Sequence, residues 1–233
     1  MLTNAAAIDA AYQGESGLLA GDVRGKLFID MSTVRPGVET ALASKVGARG
    51  AALIECPVGG TVGPARDGKL FGFVGGGAGD VERARPVLNE LCRRIEHVGA
   101  VGAGASMKLA INLPLLLYYQ ALGEALSLCR NLGIEPARLI DIFADTSGGP
   151  NMLKVRGPAI AATLQGKETS PVTFDVDLIR KDLRTMLEEA GGLGVSLPLT
   201  ARALDCYDEA ARDGLGARDA TMLPANWLRK GAR

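Results

Sequence analysis

The chain has 233 residues, 47% of them hydrophobic and 31 of them glycine, which is enough for one large core or two smaller ones and argues against disorder. Its 26 basic and 26 acidic residues balance without a block of one sign, so neither nucleic acid nor a membrane surface is expected as a partner. Cys56, Cys92, Cys129 and Cys206 lie far apart and His97 is the single histidine, so no metal site and a reduced, cytoplasmic setting are expected.

Taken in order, residues 5–12 read as an alanine-rich helix and 14–21 as a loop leading into a strand over 26–30. Pro36 suits the first turn of a helix running to about residue 46, with Ser32 and Thr33 available as caps. Strands follow over 51–55 and 69–74, each ending in glycine-rich loops, and the repeat of strand and helix suggests a parallel sheet. Residues 80–94 have helical period, and 95–98 read as a last short strand. The stretch 102–130 then reads as a long helix with a stop at Gly133; Pro114 predicts a kink in it unless the helix starts late. The most apolar part, around residues 113–117, is far shorter than the ~20 residues a bilayer-spanning helix needs. Beyond Gly133 only helices are expected, over 136–144, 151–164, 178–190 and 198–212. The fold class is therefore α/β: a partial parallel-sheet domain over 1–100, then an all-helical domain over 101–233 built on the long helix.

That helix carries one lysine in an otherwise apolar run. Asn112 lies four residues after Lys108, which stacks the two side chains on one helical face. An ammonium facing a core must border a polar cleft or pair with something, so Lys108 is a candidate acid or base. In open parallel sheets, ligands sit at the carboxyl ends of the strands, where this chain places Met31-Ser-Thr33 and Pro57-Val-Gly-Gly-Thr61. Hydroxyls and free backbone amides there would bind a small anion such as a carboxylate. Each piece also has a plainer reading. Lys108 could snorkel, Ser32 and Thr33 could cap a helix, and Gly59-Gly60 could simply turn the chain. The P-loop-like spacing from Gly63 to Lys69 is a chance match, because Leu70 stands where Ser or Thr is required and a strand follows where a helix is needed.

Six segments occur in one order: Asp30-Met-Ser-Thr33, Pro57-Val-Gly-Gly60, Gly68 to Gly76, Gly102-Ala-Gly-Ala-Ser-Met-Lys108 with Asn112, Lys181-Asp-Leu183, and Gly214-Leu-Gly-Ala-Arg-Asp219. Together they resemble the β-hydroxyacid dehydrogenase family, over nearly the whole chain. The resemblance implies a Rossmann-like nucleotide-binding domain and a helical domain of the 6-phosphogluconate dehydrogenase type. It implies an NAD(P)-dependent oxidoreductase like 3-hydroxyisobutyrate dehydrogenase, passing hydride reversibly between a small 3-hydroxy acid and its semialdehyde. In that pattern Lys108 is the general acid/base, while Ser32, Gly59, Gly60, Thr61 and Asn112 contact substrate. Leu2, Thr3, Thr33 and Lys181 border the NAD or NADP. A homodimer or homotetramer through the helical domain is also implied.

Two departures qualify the resemblance. The family's Ser-Gly-Gly after Pro-Val is Gly59-Gly60-Thr61 here, so one substrate-facing hydroxyl is displaced or lost. The family's opening Gly-x-Gly-x-x-Gly, which seats a pyrophosphate at a helix N-terminus, occurs nowhere in the chain, and with it goes the residue that selects NAD or NADP. The expectation is a family enzyme lacking the first half of its nucleotide-binding domain. The alternative is a catalytically inactive remnant serving as a helical dimerisation module.

Overall fold

The computed structural model describes residues 1–168 and 171–230. The chain divides into two compact units, Met1–Asn112 and Leu113–Arg233.

The first unit contains α1 (Ala5–Gln13), β1 (Leu27–Asp30), α2 (Pro36–Ala48), β2 (Ala52–Glu55), β3 (Val58–Gly59), α3 (Val62–Arg66), β4 (Leu70–Gly75), α4 (Ala78–Leu91) and β5 (Cys92–Gly99). It also holds the beginning of α5 (Ala103–Leu128). β1 and β2 are parallel, pairing Leu27 with Ala52 through to Asp30 with Glu55, and β4 and β5 are parallel too. The expected α/β sheet carries antiparallel pairings as well: β4 meets β2 at Gly75, and meets the two-residue β3 at Gly72 and Phe71. A strand as short as β3 leaves no alternating pattern to read in a sequence.

Side-chain alternation along the strands builds two cores. Leu53 of β2 joins Ile8, Tyr12, Leu42 and Val46 of α1 and α2, whereas the next residue, Ile54, joins Val74, Val81, Ala84 and Leu88 of β4 and α4. α1 is capped by Asn4, whose side chain accepts from Ala7 N–H at 2.8 Å. α2 departs from expectation. Its N-cap is Arg35 with no side-chain cap, so neither Ser32 nor Thr33 caps it; Pro36 at the first turn supplies the start. α4 ends at Leu91 rather than continuing to Arg94, because Cys92 turns extended and packs into the core. Arg94 then lies over the Phe71 ring at 4.9 Å and bonds Glu96 at 2.7 Å, contacts available only from a strand.

The second unit holds the rest of α5, which continues through Pro114 to Leu128, followed by α6 (Pro136–Ala144), α7 (Asn151–Leu164), α8 (Val176–Gly192), α9 (Pro198–Ala210) and α10 (Leu223–Lys230). Gly133, at φ 63°, makes the expected stop. Tyr207 donates its O–H to Leu116 C=O at 2.5 Å, tying α9 to α5. Asp219 is buried and accepts from Thr173 N–H at 2.8 Å and from Thr221 N–H at 3.1 Å, organising the loop before α10. Among the described residues, no helix is long and apolar enough to cross a membrane.

Candidate active site

The site is assembled where β1 and β2 end side by side. Their last residues, Asp30 and Glu55, are paired in register, and both are buried. Asp30 Oδ1 accepts from Ser32 N–H at 2.7 Å, which curls the Met31-Ser32-Thr33 loop back over the strand end. Ser32, 1% exposed, in turn accepts from Leu2 N–H on its Oγ at 2.8 Å. The structure therefore brings Leu2 beside Ser32, with Thr33 half-buried and Thr3 exposed.

The loop after β2 carries Gly59, Gly60 and Thr61. Gly59 closes β3 and pairs with Phe71, and Gly60 takes φ 121°, which a side chain rarely adopts. Thr61 occupies the N-cap position of α3 without a side-chain cap. Cys56, also here, is no candidate nucleophile: burial first, and then Cys92 and Glu55, push its thiol up to about 12.

Lys108 and Asn112 come together as their spacing implies. Lys108 is 9% exposed and donates from Nζ to Asn112 Oδ1 at 2.9 Å, one turn along α5. The turn beneath them is anchored by Glu55, whose carboxylate accepts from the N–H groups of Gly102, Gly104 and Ala105, the last two at 2.9 and 3.1 Å. Lys181 belongs to the second unit. It lies half-buried on α8, with Nζ 2.6 Å from Asp182 Oδ1.

Sequence reasoning missed two buried acids. Glu55 ends an apolar strand, and Glu39 lies on α2 with neither oxygen hydrogen-bonded to a partner. Burial, followed by the charges of Asp30 and Glu55, pushes the Glu39 carboxyl up to about 8. Burial likewise raises the Glu55 carboxyl, against the lowering effect of its three backbone hydrogen bonds. An acid inside a strand–loop junction reads as a surface residue until its partners are seen; the signal available was its adjacency to Cys56-Pro57 within an apolar run.

Comparison with known proteins divides the chain near residue 100, ahead of α5, whereas the compact units part within that helix, after Asn112. Residues 1–99 match the NAD binding domain of 6-phosphogluconate dehydrogenase, and residues 102–225 match the NAD-binding domain of NADP-dependent 3-hydroxyisobutyrate dehydrogenase. A 3-hydroxyisobutyrate dehydrogenase of Pseudomonas aeruginosa is 35% identical over 215 residues, covering 89% of this chain and 72% of that protein. The chain belongs to the β-hydroxyacid dehydrogenase family.

Other members of the family show the same relation. A 3-sulfolactaldehyde reductase of Escherichia coli is 32% identical, over 94% of this chain and 72% of its own length. In structure, a 3-hydroxyisobutyrate dehydrogenase of Mycobacterium tuberculosis, solved with L-serine, superposes with a TM-score of 0.81 at 26% identity. The match covers 97% of this chain and 77% of that one. This β-hydroxyacid dehydrogenase is thus an NAD(P)-dependent oxidoreductase with the two-domain architecture of a Rossmann-like sheet and a helical domain, and its coenzyme is NAD or NADP.

The donor set in the first unit suits one end of that coenzyme. Backbone and hydroxyl donors at a strand terminus, here the Met31-Ser32-Thr33 loop tied to Leu2, are of the kind that hold the polar groups of a nucleotide.

Proposed function

We propose that the chain catalyses reversible hydride transfer between a small 3-hydroxy acid and its semialdehyde, with Lys108 as general acid/base. The observation that carries this reading is the Lys108–Asn112 pair: a buried ammonium held by an amide at 2.9 Å, on the helix that starts beside the strand ends. When bound, the coenzyme supplies or accepts the hydride. Lys108 gives a proton to the carbonyl oxygen in reduction and removes one from the hydroxyl in oxidation. Asn112 orients the lysine side chain through its Oδ1. Ser32, whose Oγ already accepts from Leu2, keeps its own O–H to donate to the substrate carboxylate. Gly59, Gly60 and Thr61 shape the other side of the acid group, and Leu2, Thr3, Thr33 and Lys181 hold the coenzyme.

The substrate class follows the relatives, named for 3-hydroxyisobutyrate and 3-sulfolactaldehyde, each of which joins an acidic group to an alcohol or aldehyde on a short carbon chain. The residue ranges 1–100 and 101–233 serve in this reading as the coenzyme-binding and helical domains, with a second copy of the chain associating through the helices in a cytoplasmic setting. Titration of the purified chain with NADH and NADPH, followed by nicotinamide fluorescence, tests coenzyme use. Saturable binding that is weakened in Lys181→Ala is expected; a folded chain that binds neither coenzyme would favour a helical dimerisation module instead.

A further inference from the structure

The geometry points to Glu55 as the residue that positions Lys108, holding the first turn of α5 by a buried carboxylate. This rests on the acid/base reading of Lys108 given above. Glu55 is fully buried, and its two oxygens accept three consecutive-turn donors, Oε1 from Gly102 and Gly104 and Oε2 from Ala105. Lys108 stands one turn beyond Gly104 on the same helix.

The surrounding glycines exist to admit that carboxylate. A Cβ on Gly75, the residue paired with Glu55 across the sheet, would collide with Glu55 Oε1. A Cβ on Gly104 would collide with Phe73 C=O and come 3.3 Å from Glu55 Cδ. Gly102 has φ 103°, so its N–H can turn toward the acid. The Gly-Ala-Gly preceding the lysine is therefore the mould of a carboxylate cap, and a shift of that cap carries the lysine with it.

The arrangement also has an electrostatic side. The N-terminus of α5 bears partial positive charge, which favours the neutral amine at Lys108, and a carboxylate at that terminus offsets it. Asp30 of β1 and Glu39 of α2 face Glu55; Asp30 adds to the negative field there, and Glu39 joins it only as pH rises through about 8. Glu55→Gln keeps the side-chain shape, removes the charge and turns an amide N–H toward Ala105 N–H. It is expected to loosen the first turn and to let Lys108 deprotonate at lower pH.

The test is competitive acetylation of Lys108 by acetic anhydride across pH, read by peptide mass spectrometry, on the whole chain without coenzyme or substrate. Amide hydrogen exchange at residues 102, 104 and 105 is measured alongside it. In Glu55→Gln the labelling midpoint is expected to fall by about half a pH unit or more, with faster exchange at the three amides and unchanged exchange in β1 and β2. Faster exchange with an unmoved Lys108 midpoint makes Glu55 a fold residue only and overturns the inference. Should Glu55→Gln alone fail to fold, the double variant Glu39→Gln/Glu55→Gln, compared with Glu39→Gln, gives the same readout without the unpartnered Glu39 charge. Because labelling needs no turnover, the two readings fail separately. Turnover that depends on Lys108, with a midpoint unmoved by Glu55→Gln, removes the positioning role alone; a moved midpoint in a folded wild-type chain without turnover removes the proposed reaction alone.

Discussion

Lys108 Nζ donates to Asn112 Oδ1 at 2.9 Å, so the charge of the candidate acid/base is held by a neutral amide from its own helix. A hydrogen bond to a neutral amide is weaker than one to a carboxylate at the same distance.

Asn112→Asp replaces that amide oxygen with a charged one at the same place. The new carboxylate favours the ammonium and is expected to raise the Lys108 pKa by about one to two units. Hydroxy-acid oxidation, which needs the amine, is then expected to move its pH–rate profile toward alkaline pH by a similar amount; Asn112→Ala should lower kcat without that displacement. Initial rates across pH check both.

Glu39 predicts a pH dependence of stability. Its carboxyl has an ordinary value of 4.5 and is raised to about 8 by burial and by the charges of Asp30 and Glu55. A raised folded-state value means that its contribution is fully present below 4.5 and is lost as pH rises through about 8, at roughly 1.4 kcal/mol per pH unit in that window. Glu39→Gln should flatten the decline in denaturation midpoint between those limits. An identical slope in wild type and variant would contradict the assignment.

The loop after β2 distinguishes two neighbouring glycines. A Cβ on Gly59 would lie 3.7 Å from the Phe73 ring, an ordinary contact, so Gly59→Ser is expected to fold normally. Its hydroxyl should alter KM for the acid substrate more than kcat. Gly60→Ala is strained at φ 121° and meets Leu70 Cδ2 at 2.9 Å, and should cost about 1–3 kcal/mol in chemical denaturation.

In the helical unit, Asp219→Ala strips Thr173 N–H and Thr221 N–H of their acceptor. Losing one buried and one half-buried backbone partner should cost about 2–4 kcal/mol, seen as a lower thermal midpoint.

Elements with strong local punctuation were legible. Glu135 and Pro136 open α6, and its limits, like those of α7, can be read directly from the sequence. Lys108 and Asn112 were also legible, since helical spacing alone brings them together. Elements decided by distant partners were not: β3 exists because β4 offers it two ladder positions, and β5 begins at Cys92 because its side chain enters the core and Phe71 receives Arg94. α10 follows an irregular turn in which Gly214 takes φ 88°, a break that ends the preceding helical pattern and hides the next. Ser32 looked like a cap and instead accepts from Leu2, thirty residues earlier in the chain.

The most direct test is reduction of a small semialdehyde acid by NADH or NADPH, measured for the wild-type chain, Lys108→Ala and Lys108→Arg. Lys108→Ala is expected to lower kcat by about 10²–10⁴ with coenzyme binding unchanged, the loss typical of removing a general acid. Wild-type turnover in Lys108→Ala would contradict the assignment of Lys108.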